Sequence, residues 1–231
     1  MDVANVFRAD DTNVGDWHCA PFRYFDLGRA YLDILDFEPS TEGHDESVKA
    51  LADRHVVLGG GGLMAKTFHP KLAHLAEQRP RLLSLVAWGI AESEYVDRSG
   101  GLVPPYPGPL PDYMSAFDLI ALRDTGGNLH SRVEWAPCVS CMAPAFDKHP
   151  KVTRHAVIYE HKSIPIPIDG LDRVSNEGRS LESKVAFLGS AELVITNSYH
   201  GAYRAILLGR RVLAVPNMSK IVPISPPAGN L

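Results

Sequence analysis

The residues best placed to do chemistry lie in Leu193-Val194-Ile195-Thr196-Asn197-Ser198-Tyr199-His200-Gly201-Ala202-Tyr203-Arg204. A branched apolar run ends in a polar Thr-Asn-Ser edge, and a helical pattern opens at the histidine. The first turn of a helix presents N–H groups and the positive end of the dipole, so Asn197 and Ser198 border a place suited to an anion. The same dipole disfavours a charged imidazole at His200. A neutral ring there can act as a general base or donate its proton to a developing anion. Arg204 falls one helical turn later on the same face. The plain alternative is a histidine held in a core.

Two further motifs follow strand-like runs. Asn13-Val14-Gly15-Asp16 suits a tight strand-to-helix turn, whose outward amides could take an anion or carboxylate. On spacing alone an ordinary Asn/Gly/Asp turn is the favoured reading. Gly59-Gly60-Gly61-Gly62 closes His55-Val56-Val57-Leu58 and lets backbone approach a ligand or a facing domain closely, or simply turns. It lacks the G-x-G-x-x-G pattern and the Walker lysine, so NAD and ATP fit poorly. Lys66 stands just beyond it. Cys138-Val139-Ser140-Cys141 has no second C-x-x-C or H-x-x-x-H, so packed, metal-free thiols are expected rather than a zinc site.

These motifs need elements to hold them. Apolar runs at 55–58, 81–89, 117–122, 156–159, 192–196 and 211–216 read as strands. Helical spacing covers 70–78, 181–189 behind a Ser180 cap, and 198–208 with Gly209 as its stop. Ile164-Pro165-Ile166-Pro167-Ile168 reads as extended, because each proline restrains its neighbour. The alternation predicts α/β with a mainly parallel sheet. Ser99 to Pro111, rich in Gly and Pro, reads as a loop. Pro223, Pro226 and Pro227 argue against a closing helix, so the second unit reads as shortened, from a short or truncated chain.

Composition bounds the function. The chain has 231 residues, 45% hydrophobic and 22% charged, as a globular protein has. Its net charge of −4 provides no basic field for nucleic acid or an anionic membrane. No run of about 18 apolar residues predicts a transmembrane helix. The N-terminus does not read as a signal peptide. Three cysteines make no disulfide framework, which points to a reducing cytoplasm.

The order of the Asn13–Asp16 turn, the run into Gly59–Gly62, Trp88-Gly89-Ile90, Asp118 to Asp124, Trp135 to Met142 and Asn197-Ser198-Tyr199-His200-Gly201 resembles the polysaccharide pyruvyl transferase family over about residues 3 to 220. That resemblance implies a GT-B-like pair of Rossmann-like units and transfer of a pyruvyl group from phosphoenolpyruvate to a sugar hydroxyl as a ketal, with no metal or other cofactor. His200 matches the family's functional histidine, and Arg123 a basic donor ligand. Where the family often has arginine two residues before that histidine, this chain has Ser198, and Arg204 is the nearby charge.

The expected molecule therefore has Rossmann-like units at 1–150 and 151–231 with a cleft between them. Asn13, Gly15, Gly60, Gly61, Arg123, Asn197, Ser198 and Arg204 are expected around phosphoenolpyruvate and a glycan acceptor. His200 is the candidate acid or base, and Asp16 the candidate for orienting the acceptor hydroxyl. The alternatives are a GT-B-type glycosyltransferase using a nucleotide sugar, and a non-catalytic homologue or binding subunit in glycan assembly.

Overall fold

The computed structural model describes residues 2–28, 30–91, 110–123 and 132–215. It is a mixed α/β structure with two parallel sheets and few helices. The chain divides into two compact units. Among the described residues, one comprises 2–10, 16–91, 110–123 and 132–140, and the other 11–15 and 141–215.

The first unit holds strands β1 (Val3–Phe7), β2 (Tyr31–Asp33), β3 (His55–Leu58), β4 (Ser84–Ile90), β5 (Leu119–Leu122) and β6 (Val133–Trp135). They pair in parallel in the order β2-β1-β3-β4-β5-β6. Parallel strands covered on both faces favour near-continuous branched apolar runs, and β3 is such a run. Ala4, Val6, Val56, Leu58, Leu85, Ala87, Ile120 and Leu122 contribute one face to the main core. Leu72, Leu75 and Ala76 of α3 (His69–Glu77), a helix near the expected 70–78, join the same core. Helix α2 (His44–Ala50), the two short strands β2 and β6, and the four-residue α1 (Val14–Trp17), which begins on residues of the other unit, are not evident in the sequence pattern.

The second unit holds β7 (Arg154–Glu160), β8 (Arg173–Ser175), β9 (Ala191–Thr196) and β10 (Arg211–Ala214), all parallel in the order β10-β9-β7-β8. Val157 and Tyr159 face one core, shared with Leu188, Val194 and Ala205, while Ile158 faces a second with Ile166 and Ile195. This is the period-two alternation of a strand covered on both sides. Ser180 caps α4 (Leu181–Gly189), its hydroxyl oxygen accepting from the Ser183 amide at 3.1 Å. Helix α5 (Tyr199–Leu207) ends as the glycine predicts. Gly209 has φ +68°, its amide bonds to Ile206 and the Arg210 amide to Ala205, a Schellman pair that satisfies the last carbonyls.

Both strand orders reverse direction once, between β1 and β3 and between β7 and β9. In open α/β sheets, the carboxyl ends at such a reversal are where crevices form. Most of the loop expected at Ser99–Pro111, and the prolines after residue 215, lie outside the described residues. Among the described residues no helix is long and apolar enough to cross a membrane.

Candidate functional site

In the second unit, the reversal point is where β7 and β9 end. Asn197 joins the two ends: its side-chain oxygen accepts from the His161 amide at 2.8 Å, and its amide nitrogen donates to the Ile164 carbonyl at 2.7 Å. The Asn197 carboxamide thus braces the loop after β7. Ser198 is the N-cap of α5. Its side chain accepts from the Gly201 amide at 3.4 Å, and its own amide donates to the Thr196 hydroxyl at 3.0 Å. The sequence reading of a capped helix start directly after a strand is correct at these residues.

Gly201 sets how close α5 comes to the sheet. A Cβ there would lie 2.5 Å from Thr196 Oγ1 and 2.5 Å from the Tyr159 ring. That approach buries the face carrying His200, which is 7% exposed, and Arg204, which is 0% exposed. As their spacing predicts, both act on one side of the helix, and both reach the segment 11–15. A Cβ at Gly15 would lie 2.3 Å from His200 Nδ1, so only glycine leaves room for the imidazole. Arg204 Nη2 donates to the Val14 carbonyl at 3.1 Å.

The turn expected to offer amides to an anion is engaged within its own unit. The Val14 amide donates to the Asn176 carbonyl at 3.0 Å, and the Gly15 amide to the Asn13 side-chain oxygen at 2.9 Å. Asn176 Nδ2 also donates to that oxygen, at 3.2 Å. Asn13 therefore pins the turn, and Gly15 makes room for His200. This corrects the reading of outward amides, for a physical reason: a buried N–H must find a partner, and the 176 strand end supplies one.

Arg204 is the electrostatic feature of the site. Its Nε and Nη1 have no satisfactory hydrogen bond, and it forms no ion pair among the described residues. Tyr159 stands beside the guanidinium. Burial pushes its phenol up from its ordinary value, and Arg204 only partly offsets this, so the phenol stays neutral and supplies no counter-charge. Nearby, Lys184 is pushed down, chiefly by burial and further by the Arg204 charge, with Glu177 opposing. A buried cation without a matching anion is costly, and a ligand carboxylate or phosphate would relieve that cost.

The first unit holds the remaining expected residues. Gly59 and Gly60 make their close approaches inside that unit. A Cβ on Gly59 would lie 2.0 Å from the Trp88 carbonyl oxygen, and one on Gly60 2.7 Å from that of Cys19. The Gly60 amide donates to the same Cys19 carbonyl at 3.0 Å. Gly59 and Gly60 are thus packed against strand β4 and the Cys19 turn. Gly61, with φ +95°, is less crowded: its Cβ would be 3.5 Å from Cys19 Sγ and 3.9 Å from Asp16 Oδ1. Asp16 is half-buried, and its carbonyl accepts from the Cys19 thiol at 3.1 Å. Arg123 is buried where β5 ends, its amide bonded to Ile90. Cys19, Cys138 and Cys141 form no disulfide, and the Cys138 thiol lies 3.3 Å from the Ser140 hydroxyl. Among the described residues, no group of three or more His, Cys, Asp or Glu could hold a metal ion.

Sequence reasoning missed Tyr159 and Asn176 as members of the second-unit cluster, and the Val14 carbonyl as the acceptor for Arg204. Tyr159 reads as one more apolar strand residue, and nothing local joins residue 14 to residue 176. No family model matches the sequence, and no curated protein matches it. The fold is similar to the crystal structure of a functionally uncharacterized protein from Klebsiella pneumoniae, with a TM-score of 0.55 and 12% identity over 94% of this chain and 84% of that one. That likeness shows the α/β fold, and the fold alone.

Proposed function

We propose that this is a pyruvyl transferase-like enzyme of the cytoplasm, with GT-B-like architecture, that moves a pyruvyl group from phosphoenolpyruvate to a sugar of a surface glycan or its precursor. The observation that carries the reading is the fully buried Arg204 guanidinium, lacking an acidic partner among the described residues, one turn behind His200 at the start of α5. Phosphoenolpyruvate brings a carboxylate and a phosphate, and oxygens of either can accept from the Nε–H or from the Nη1 N–H groups that have no protein acceptor among the described residues. Protonation of the donor's methylene carbon makes C2 electrophilic. A sugar hydroxyl then adds at C2 and inorganic phosphate leaves with its C–O bond. A second hydroxyl of the same sugar closes the ketal. His200 is the group we assign to the proton transfer.

The test is thermal stabilisation by phosphoenolpyruvate against a panel of nucleotide sugars, in the wild type and in Arg204→Met. The substitution keeps the bulk and removes the charge, so the ligand-free melting temperature is expected to hold or rise. Phosphoenolpyruvate should raise the melting temperature of the wild type alone. An equal rise in both proteins removes Arg204 from the site, and a response to nucleotide sugars instead favours a glycosyltransferase. The complete burial of Arg204 and its bond to Val14 favour one second reading, a non-catalytic homologue in which the arginine only ties α5 down. That reading is expected to show no response to any donor.

A further inference from the structure

Away from these residues, in the first unit, two histidines meet nitrogen to nitrogen. His44 is the first residue of α2 and His74 lies in α3. Their Nε2 atoms are 2.7 Å apart and their ring centroids 4.7 Å apart. Each ring is held from behind by a carboxylate: Asp45 Oδ1 lies 3.1 Å from His44 Nδ1, and Glu77 Oε2 lies 3.0 Å from His74 Nδ1. A carboxylate only accepts, so each Nδ1 carries the ring proton. Both Nε2 atoms then present lone pairs to one another. Two lone pairs at that distance repel unless a positive centre lies between them.

We propose that His44 and His74 are the two protein ligands of a divalent transition-metal ion, zinc being the reference member of the class. Neutral imidazole is a preferred ligand for zinc, copper and nickel. A ligating histidine characteristically donates its other N–H to a carboxylate, which fixes the tautomer and raises ligand basicity, and here both rings have that partner. Bonds of about 2.0–2.1 Å at a tetrahedral angle require the two nitrogens to stand about 3.3 Å apart, so the rings need only a slight opening. The side chains are 14% and 22% exposed, enough for an ion to enter without unfolding the unit. A pocket of about 310 Å³, lined by Pro39, Thr41, Gly43, His44, Asp45 and Glu46, adjoins His44. The ion would clip α2 to α3, whose cores are otherwise joined through the turn at Ile34–Phe37. The assignment is independent of the pyruvyl transfer reading.

The experiment is zinc titration calorimetry on the tag-free full chain in a non-coordinating buffer, with the wild type, His44→Ala, His74→Ala and Glu77→Gln. One equivalent of zinc should bind the wild type. Either alanine variant should weaken it at least tenfold, and Glu77→Gln, which keeps both ligands, by about tenfold. Long-range proton–nitrogen NMR of the histidine rings checks the ligands without mutation: zinc should shift two Nε2 resonances while both Nδ1 sites stay protonated. Wild-type affinity no greater than that of the His44→Ala and His74→Ala variants would overturn the proposal and leave a shared proton between the rings. Stoichiometric binding unchanged in all three variants, or zinc-shifted resonances from other histidines, would overturn it as well.

Discussion

Two of the close approaches that glycine permits in this protein differ in what comes close. In the first unit, Gly59 and Gly60 admit backbone carbonyls of Trp88 and Cys19. Each approach ends in the unit's own main chain, and the Gly60 amide is paired there. In the second unit, Gly15 admits the imidazole of His200, and the same turn supplies the Val14 carbonyl to Arg204. The first is a structural use of glycine. The second places a titratable ring and a buried cation together. A run of four glycines is the louder sequence signal, yet the single Gly15 is the one beside His200 and the Arg204 contact.

Substitutions at these places can break that contrast. The largest effect is expected from His200→Asn, which should lower turnover about 10²–10⁴-fold while phosphoenolpyruvate still stabilises the protein. Phosphate release and thermal shift measured on the same samples would check this, and wild-type turnover would remove His200 from the mechanism. Gly59→Ala comes next. Its methyl would enter the space of the Trp88 carbonyl, at a cost of about 3 kcal/mol read by urea denaturation. Such a loss is expected with or without donor present, because the contact lies in the unit's own main chain.

Gly15→Ala sharpens the other half of the comparison. A methyl 2.3 Å from Nδ1 must displace the ring, costing about 1–3 kcal/mol. In a His200→Ala background most of that cost should vanish, so a double-mutant cycle reads the contact directly. Additive losses would mean that Gly15 matters for its backbone alone. The smallest effect is expected at the cap. Ser198→Ala should cost about 1 kcal/mol of stability, because the Gly201 amide loses its acceptor. A loss no larger than that of an exposed serine-to-alanine change would show that the Thr196 hydroxyl already holds this helix start.

Much of the second unit is legible in its sequence because its signals are local. Val194, Ile195 and Thr196 have branched side chains that favour a strand, Ser198 caps, and Gly209 alone tolerates the left-handed stop. The 3.6-residue repeat puts His200 and Arg204 on one face before any fold is known. The short strands β2, β6 and β8 are not legible, because three residues carry too little pattern and pair only where a neighbouring edge is already built.

The sequence by itself thus determined the elements of the candidate site and the chemical types on them: a capped helix after a strand, an imidazole, and a guanidinium one turn on. Only the tertiary structure decided their surroundings. Asn176, 163 positions from Asn13, takes the amide of Val14 and orients the side chain of Asn13, which ends the idea of an open anion-binding turn. Tyr159 stands neutral beside Arg204 rather than neutralising it. His44 and His74, thirty positions apart with no motif between them, meet at 2.7 Å. The physical reason is common to all three. Hydrogen-bond saturation, desolvation and lone-pair contact depend on which atoms lie within a few ångströms, and chain spacing carries that information only within a helical turn or along one strand.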